Sequence, residues 1–163
     1  MTKEFDKMEK FAIKQLMKDN SHVTMALLVQ KNNVVVTPLI FENDKQKIII
    51  MKLLKMRIIE QEIKQYYFIT ETWISQDINA NRPSEDPKKK EALLIALYKN
   101  DGSSEQSIQF FHKENGKVIL DKYTKMGKNF DSSSAWNFYK DDTTKELIKK
   151  YKTQGNKNGN RKK

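Results

Sequence analysis

The 163-residue chain has no cysteine. Disulfides, thiolate zinc sites and a cysteine nucleophile are therefore excluded. Glycine is sparse, at five residues, and proline sparser, at three. Five scattered glycines cannot build a glycine-rich phosphate loop, which argues against the common nucleotide enzymes. His22 and His112 are the only histidines. No His-x-His or HExxH spacing joins them, so nothing points to a histidine-led metal site. No GxSxG elbow supports serine hydrolysis. No apolar run approaches the ~18–20 residues of a membrane span. The opening segment "MTKEFDKMEKF" is charged from its start, unlike a secretory signal. The expectation is a cytoplasmic protein with no membrane partner, no cofactor and no metal.

Charge, by contrast, is plentiful. The chain carries 31 lysines and arginines against 21 carboxylates, a net +10. The excess is uneven. The segment "KKYKTQGNKNGNRKK", 149–163, holds seven cations and no carboxylate, which leaves +3 for everything before it. A nearly neutral body with a basic end is weaker evidence for nucleic-acid binding than a basic folded face.

Hydrophobic periodicity divides the chain into elements. Phe5, Met8, Ala12 and Leu16 recur at helical spacing, predicting a helix over 3–18. Two apolar, β-branched runs, 22–30 and 33–41, flank the polar "KNN" and predict a hairpin, with Pro38 placing its second strand at an edge or its bend near a bulge. Asn43 can cap a helix over 45–63, whose Ile50, Leu54 and Ile58 stripe is widened by Ile48, Met51 and Ile59. A helix apolar on most faces predicts burial. Strands are expected at 65–75, 91–99, 107–113 and 117–124, the last two joined at "ENG". Thr143 and Glu146 have capping-box spacing for a short helix over 143–151. The expected fold class is α+β: a single antiparallel sheet with two packing helices, in the order α-β-β-α-β-β-β-β-α. That order resembles profilin-like and roadblock-like domains in topology. One globular domain over 1–152 and a basic, disordered tail over 153–163 are expected.

Candidate chemistry gathers in the middle of the chain. With period two, Tyr67, Ile69, Glu71 and Trp73 share one face of a strand. If that face is core, Glu71 needs a cation beside it, and Arg82 is the nearest able to pair bidentately. The loop "NRPSEDPKKKE", 81–91, supplies Ser84, Asp86 and Glu91 between stiffening prolines. It reads either as a solvated connection clasped by Arg82 folding back on Glu71, or as a polar cluster at a pocket mouth. The aromatics Tyr66, Tyr67, Phe68, Trp73, Phe110, Phe111, Tyr123, Trp136, Phe138 and Tyr139 read as core at strand spacing; exposed near lysines, they could stack bases.

The hairpin start "HVTM", the strand-end "ETW" and the segment "RPSEDPKKKE" together resemble a group of small prokaryotic and phage proteins. Those share a glutamate and tryptophan in mid-chain and a proline-serine-glutamate-aspartate-proline segment soon after. The resemblance covers about residues 20–98 and draws His22, Glu71, Trp73, Arg82, Ser84, Asp86 and Glu91 together; it implies no reaction. The reading favoured by the whole is a binding or regulatory protein with a protein partner or a second copy of itself. Trp73, Arg82 and Ser84 are its candidate ligand-binding residues. A small hydrolase using His22, Glu71, Asp86 and Glu91 is the alternative. A third reading is an accessory protein that meets nucleic acid without sequence preference through Lys149, Lys150, Lys152, Lys157, Arg161, Lys162 and Lys163.

Overall fold

The computed structural model of the chain describes residues 2–75, 82, 85–128 and 136–159. The order runs α1 (Lys3–Asp19), β1 (Met25–Val29), β2 (Val34–Pro38), α2 (Asp44–Glu60), β3 (Gln65–Ile74), β4 (Lys90–Lys99), β5 (Ser104–Glu114), β6 (Lys117–Lys128) and α3 (Asp142–Gly159). The strands form one six-stranded antiparallel sheet in the order β2-β1-β3-β4-β5-β6. This is the expected α+β class and element order. Pro38 ends β2 at the sheet edge, where its missing N–H leaves no inner ladder bond unmade. The "ENG" turn closes with Asn115 and Gly116 both at positive φ, 50° and 75°, as a two-residue hairpin loop requires.

The sheet is covered on both faces. On one, α1 packs over β4, β5 and β6. Its Phe5, Ala12 and Leu16 are buried against Leu27, Tyr67, Ile69, Leu93, Ile95 and Leu97. The stripe is as expected except that Glu9 is also turned inward, where its carboxylate accepts the Tyr123 hydroxyl proton. On the other face, Ala26, Leu28, Tyr66, Phe68, Ala96 and Tyr98 meet Leu54 and Ile58 of α2 and the aromatics Trp136, Phe138 and Tyr139. Tyr66 fixes that aromatic segment by donating to the Trp136 carbonyl and accepting the Phe138 N–H at 3.0 Å.

Three expectations about the helices need correcting. First, α2 is not largely buried. Leu54, Ile58 and Ile59 are inside, but Ile48, Ile49, Leu53 and Met56 are each more than half exposed. One helix can press only one side onto a layer, and apolar residues spread around its whole circumference leave the far side bare. Second, the α3 cap is Asp141, not Thr143. The Asp141 carboxylate accepts the Thr143 N–H at 3.0 Å and is held by Lys55 of α2 at 2.5 Å. Third, α3 is longer than the expected 143–151 and continues to Gly159. No helix among the described residues is long and apolar enough to cross a membrane.

Candidate functional site

The β3 alternation is as expected, but the cover above it stops short. Tyr67 and Ile69 are buried beneath α1, Glu71 is half-buried and Trp73 is 41% exposed. Glu71 therefore stands at the edge of the core. Its carboxylate accepts the backbone N–H of His22. Arg82 is exposed, and among the described residues no hydrogen bond or ion pair joins it to Glu71. The expected clasp is absent because Glu71 is not deep enough to require a cation.

The His22 side chain is buried. Its Nδ1 donates to the Val23 carbonyl at 2.8 Å, and Nε2 is buried without a hydrogen-bond partner among the described residues. Asp86 is only 2% exposed and acts as a turn-former. Ser75 Oγ donates to its Oδ2 and the Lys88 N–H to its Oδ1, both at 2.8 Å. Ser84 lies outside the described residues.

Glu71 and Glu91 share a face across β3–β4. Glu71 is paired with Leu93, and Glu91 with Trp73. That diagonal relation separates two positions by roughly 7–8 Å. The two residues nevertheless border different hollows. Glu71 borders one with Thr24, Thr70 and Lys47, and Glu91 another with Trp73. The structure thus joins His22 to Glu71, Glu91 to Trp73 and Asp86 to Ser75. Among the described residues no three His, Asp or Glu side chains are grouped to hold a metal ion.

The Trp73–Glu91 hollow is a cleft of about 730 Å³, bordered by Lys89, Lys90, Phe110, Phe111, His112, Asp121 and Lys122. Lys89 Nζ stands 4.8 Å from the centre of the Trp73 ring. His112 Nδ1 is 2.9 Å from the Asp121 carboxylate, and Nε2 is 3.0 Å from Glu114. Hydrogen bonds donated to Asp121 and then to Glu114 raise the imidazole pKa above its ordinary 6.5. The sequence reading passed over this cluster. Hairpin pairing about "ENG" brings the strands together, but irregular register between Gln109 and Phe111 sets which side chains meet.

At the C-terminal end of α2, a second cavity of about 470 Å³ opens toward α3. Ile58, Ile59, Ile63 and Ile148 give it an apolar lining, with Lys64, Lys145, Lys149 and Lys152 around it and Glu62 as its carboxylate. Ile59 and Tyr151 also border an adjoining hollow of about 290 Å³, together with Met56, Leu147 and Lys150. Three of the candidate tail cations, Lys149, Lys150 and Lys152, thus stand beside apolar surface on a helix. Only the helical backbone is described for Lys157, and Arg161, Lys162 and Lys163 lie outside the described residues. The signal for this groove was the breadth of apolar residues in α2, which reads equally as deep burial.

The family model described as bacteriophage lambda protein ea47 matches residues 1–146. The match spans α1, α2 and all six strands, and ends within the first turns of α3. Kinship with a phage-protein group is what the resemblance implied. Neither the curated proteins nor the solved structures include a match to the chain.

Proposed function

The chain belongs to the family of bacteriophage lambda protein ea47, and from that premise we propose that it works by binding an acidic, amphipathic helix of another protein in the groove between α2 and α3. The observation that carries this reading is the groove's make-up: apolar isoleucines within a border of lysines. A helix lying in a groove is held by apolar residues at i, i+3, i+4 and i+7. Glutamates flanking such a stripe would meet Lys64, Lys145, Lys149 and Lys152. Four large aliphatics bared on α2, at Ile48, Ile49, Leu53 and Met56, extend the apolar surface beyond the groove. Clustered exposed apolar surface of this kind marks interaction sites. The separation of Glu71, Asp86 and Glu91 into different surroundings favours binding over hydrolysis.

The test uses two synthetic helical peptides with the same leucine stripe, one carrying glutamates around it and the other lysines. Titration calorimetry of the full chain should show binding of the acidic peptide only, weakening as salt rises. Reversing two rim charges together, Lys149→Glu with Lys152→Glu, should weaken it about ten-fold or more, on the order of 1–2 kcal/mol. Leu147→Ser should weaken it without altering the salt dependence. Equal binding of both peptides, or of neither, would overturn the reading.

A further inference from the structure

The cleft at Trp73 is a different surface, built from different chemistry, and the groove reading does not use it. We infer that it is a subsite for single-stranded nucleic acid, in which one unstacked base lies on the Trp73 ring and its phosphate meets the surrounding lysines.

The first support is the tryptophan itself. Upstream on β3, Tyr66, Tyr67, Phe68 and Ile69 are all buried, whereas Trp73 keeps 41% of its surface exposed. It lies in one row across the sheet with Glu91, Phe111 and Leu120. Below this row α1 covers the face; here the ring is left to solvent beside a cleft. An exposed indole offers a flat apolar surface, and every base has a matching π-face.

The second support is the charge around the ring. Lys89, Lys90 and Lys122 border the cleft, and Lys89 Nζ already stands 4.8 Å from the ring centre. A base sliding onto that face takes the ammonium's place over the ring, with Lys90 and Lys122 also bordering the cleft to meet its phosphate. The opposing charges are few. Asp121 is engaged with His112, whose other ring nitrogen meets Glu114. Glu91 is the remaining carboxylate, placed to accept from a base amino group rather than to meet a phosphate.

The third support is size and access. About 730 Å³ falls within the usual range of ligand clefts and exceeds what one small anion needs. A simple anion would also gain nothing from Trp73 and Phe110. A duplex keeps its bases stacked inside and presents no free face to the ring. These features select a base bearing a phosphate, and the open cleft lets a strand continue on either side.

The two tryptophans make the test direct, because Trp136 is only 8% exposed and serves as a built-in reporter of folding. An oligothymidylate of about ten nucleotides, within the ~4–16 typical of such sites, is titrated into the full chain. Tryptophan emission and the anisotropy of a labelled strand are both followed. Saturable quenching that weakens with salt is expected. Trp73→Ala should abolish the quenching and weaken the anisotropy-measured affinity about ten-fold. Trp73→Phe, which keeps a ring, should recover most of that affinity. Lys122→Gln should weaken binding more than Lys162→Gln, which separates the cleft from general attraction to the basic terminus. Unchanged affinity in Trp73→Ala, with Trp136 emission showing an intact fold, would overturn the proposal. So would equal binding of the corresponding duplex, or inorganic phosphate competing as well as the strand. Thymidine monophosphate bound as tightly as the oligomer would overturn the single-strand assignment in favour of a free nucleotide.

Discussion

At the scale of the residue, His112 stands between two carboxylates, and its charged form is the one they favour. The folded-state pKa is raised above the ordinary 6.5, so the cluster's stabilisation is complete below that value and is lost as pH rises through the folded pKa. Thermal melts of the wild type and His112→Gln should therefore differ most at about pH 5.5 and converge by about pH 8.5. A difference that grows with pH would contradict the geometry. Glu71 and Arg82 lead to the opposite expectation from a paired charge. Glu71 is engaged by a backbone N–H, and Arg82 is exposed. A double-mutant cycle of Glu71→Gln and Arg82→Met should give a coupling below ~0.5 kcal/mol. Coupling above ~1 kcal/mol would restore the clasp.

At the scale of the element, α2 separates two meanings of an apolar residue. Leu53 and Leu54 are neighbours in sequence and in composition, yet Leu54 is 3% exposed and Leu53 57%. Leu54→Ala should cost about 2–5 kcal/mol in urea unfolding, because it opens a cavity among Ile58, Tyr66 and Phe68. Leu53→Ala should change stability by less than ~0.5 kcal/mol. If both substitutions are costly, the outer side of α2 is covered by something other than this chain's own folded core. The same element shows why its register matters. Turned by one residue, it would bury Leu53 and bare Leu54, and a sequence apolar on every side does not by itself choose between them.

For the whole molecule, the body and the basic end separate in their effects. Among the described side chains of α3, the inward ones, Thr144 and half-buried Ile148, precede residues 149–154, which are all exposed. Deleting 155–163 removes four of the 31 cations and should move the melting midpoint by no more than about 2 °C. A larger fall would show that the end of α3 is part of the fold. The α+β class, the element order, the edge position of β2 and the Asn115–Gly116 turn were all legible from sequence. Each rests on local physics: the period of apolar residues, a proline without an N–H, a tight turn that needs positive φ. The core position of most of the aromatics named from sequence, among them Tyr66, Tyr67, Phe68 and Phe111, was legible for the same reason. Other features depended on where layers end. Glu71 read as a buried charge, but on β3 the burial beneath α1 ends at Ile69. The outer half of α2 read as core, but one helix has a single side to offer the sheet. Asp86 was legible as turn chemistry, while its burial against Ser75 was not. The two clefts, and the meeting of His112 with Asp121 and Glu114, join residues whose approach is set by strand register and by the packing of α3 on α2. Local periodicity determined which residues can face one another. The extent of each covering layer, which no local pattern encodes, decided which of them remain open to a partner.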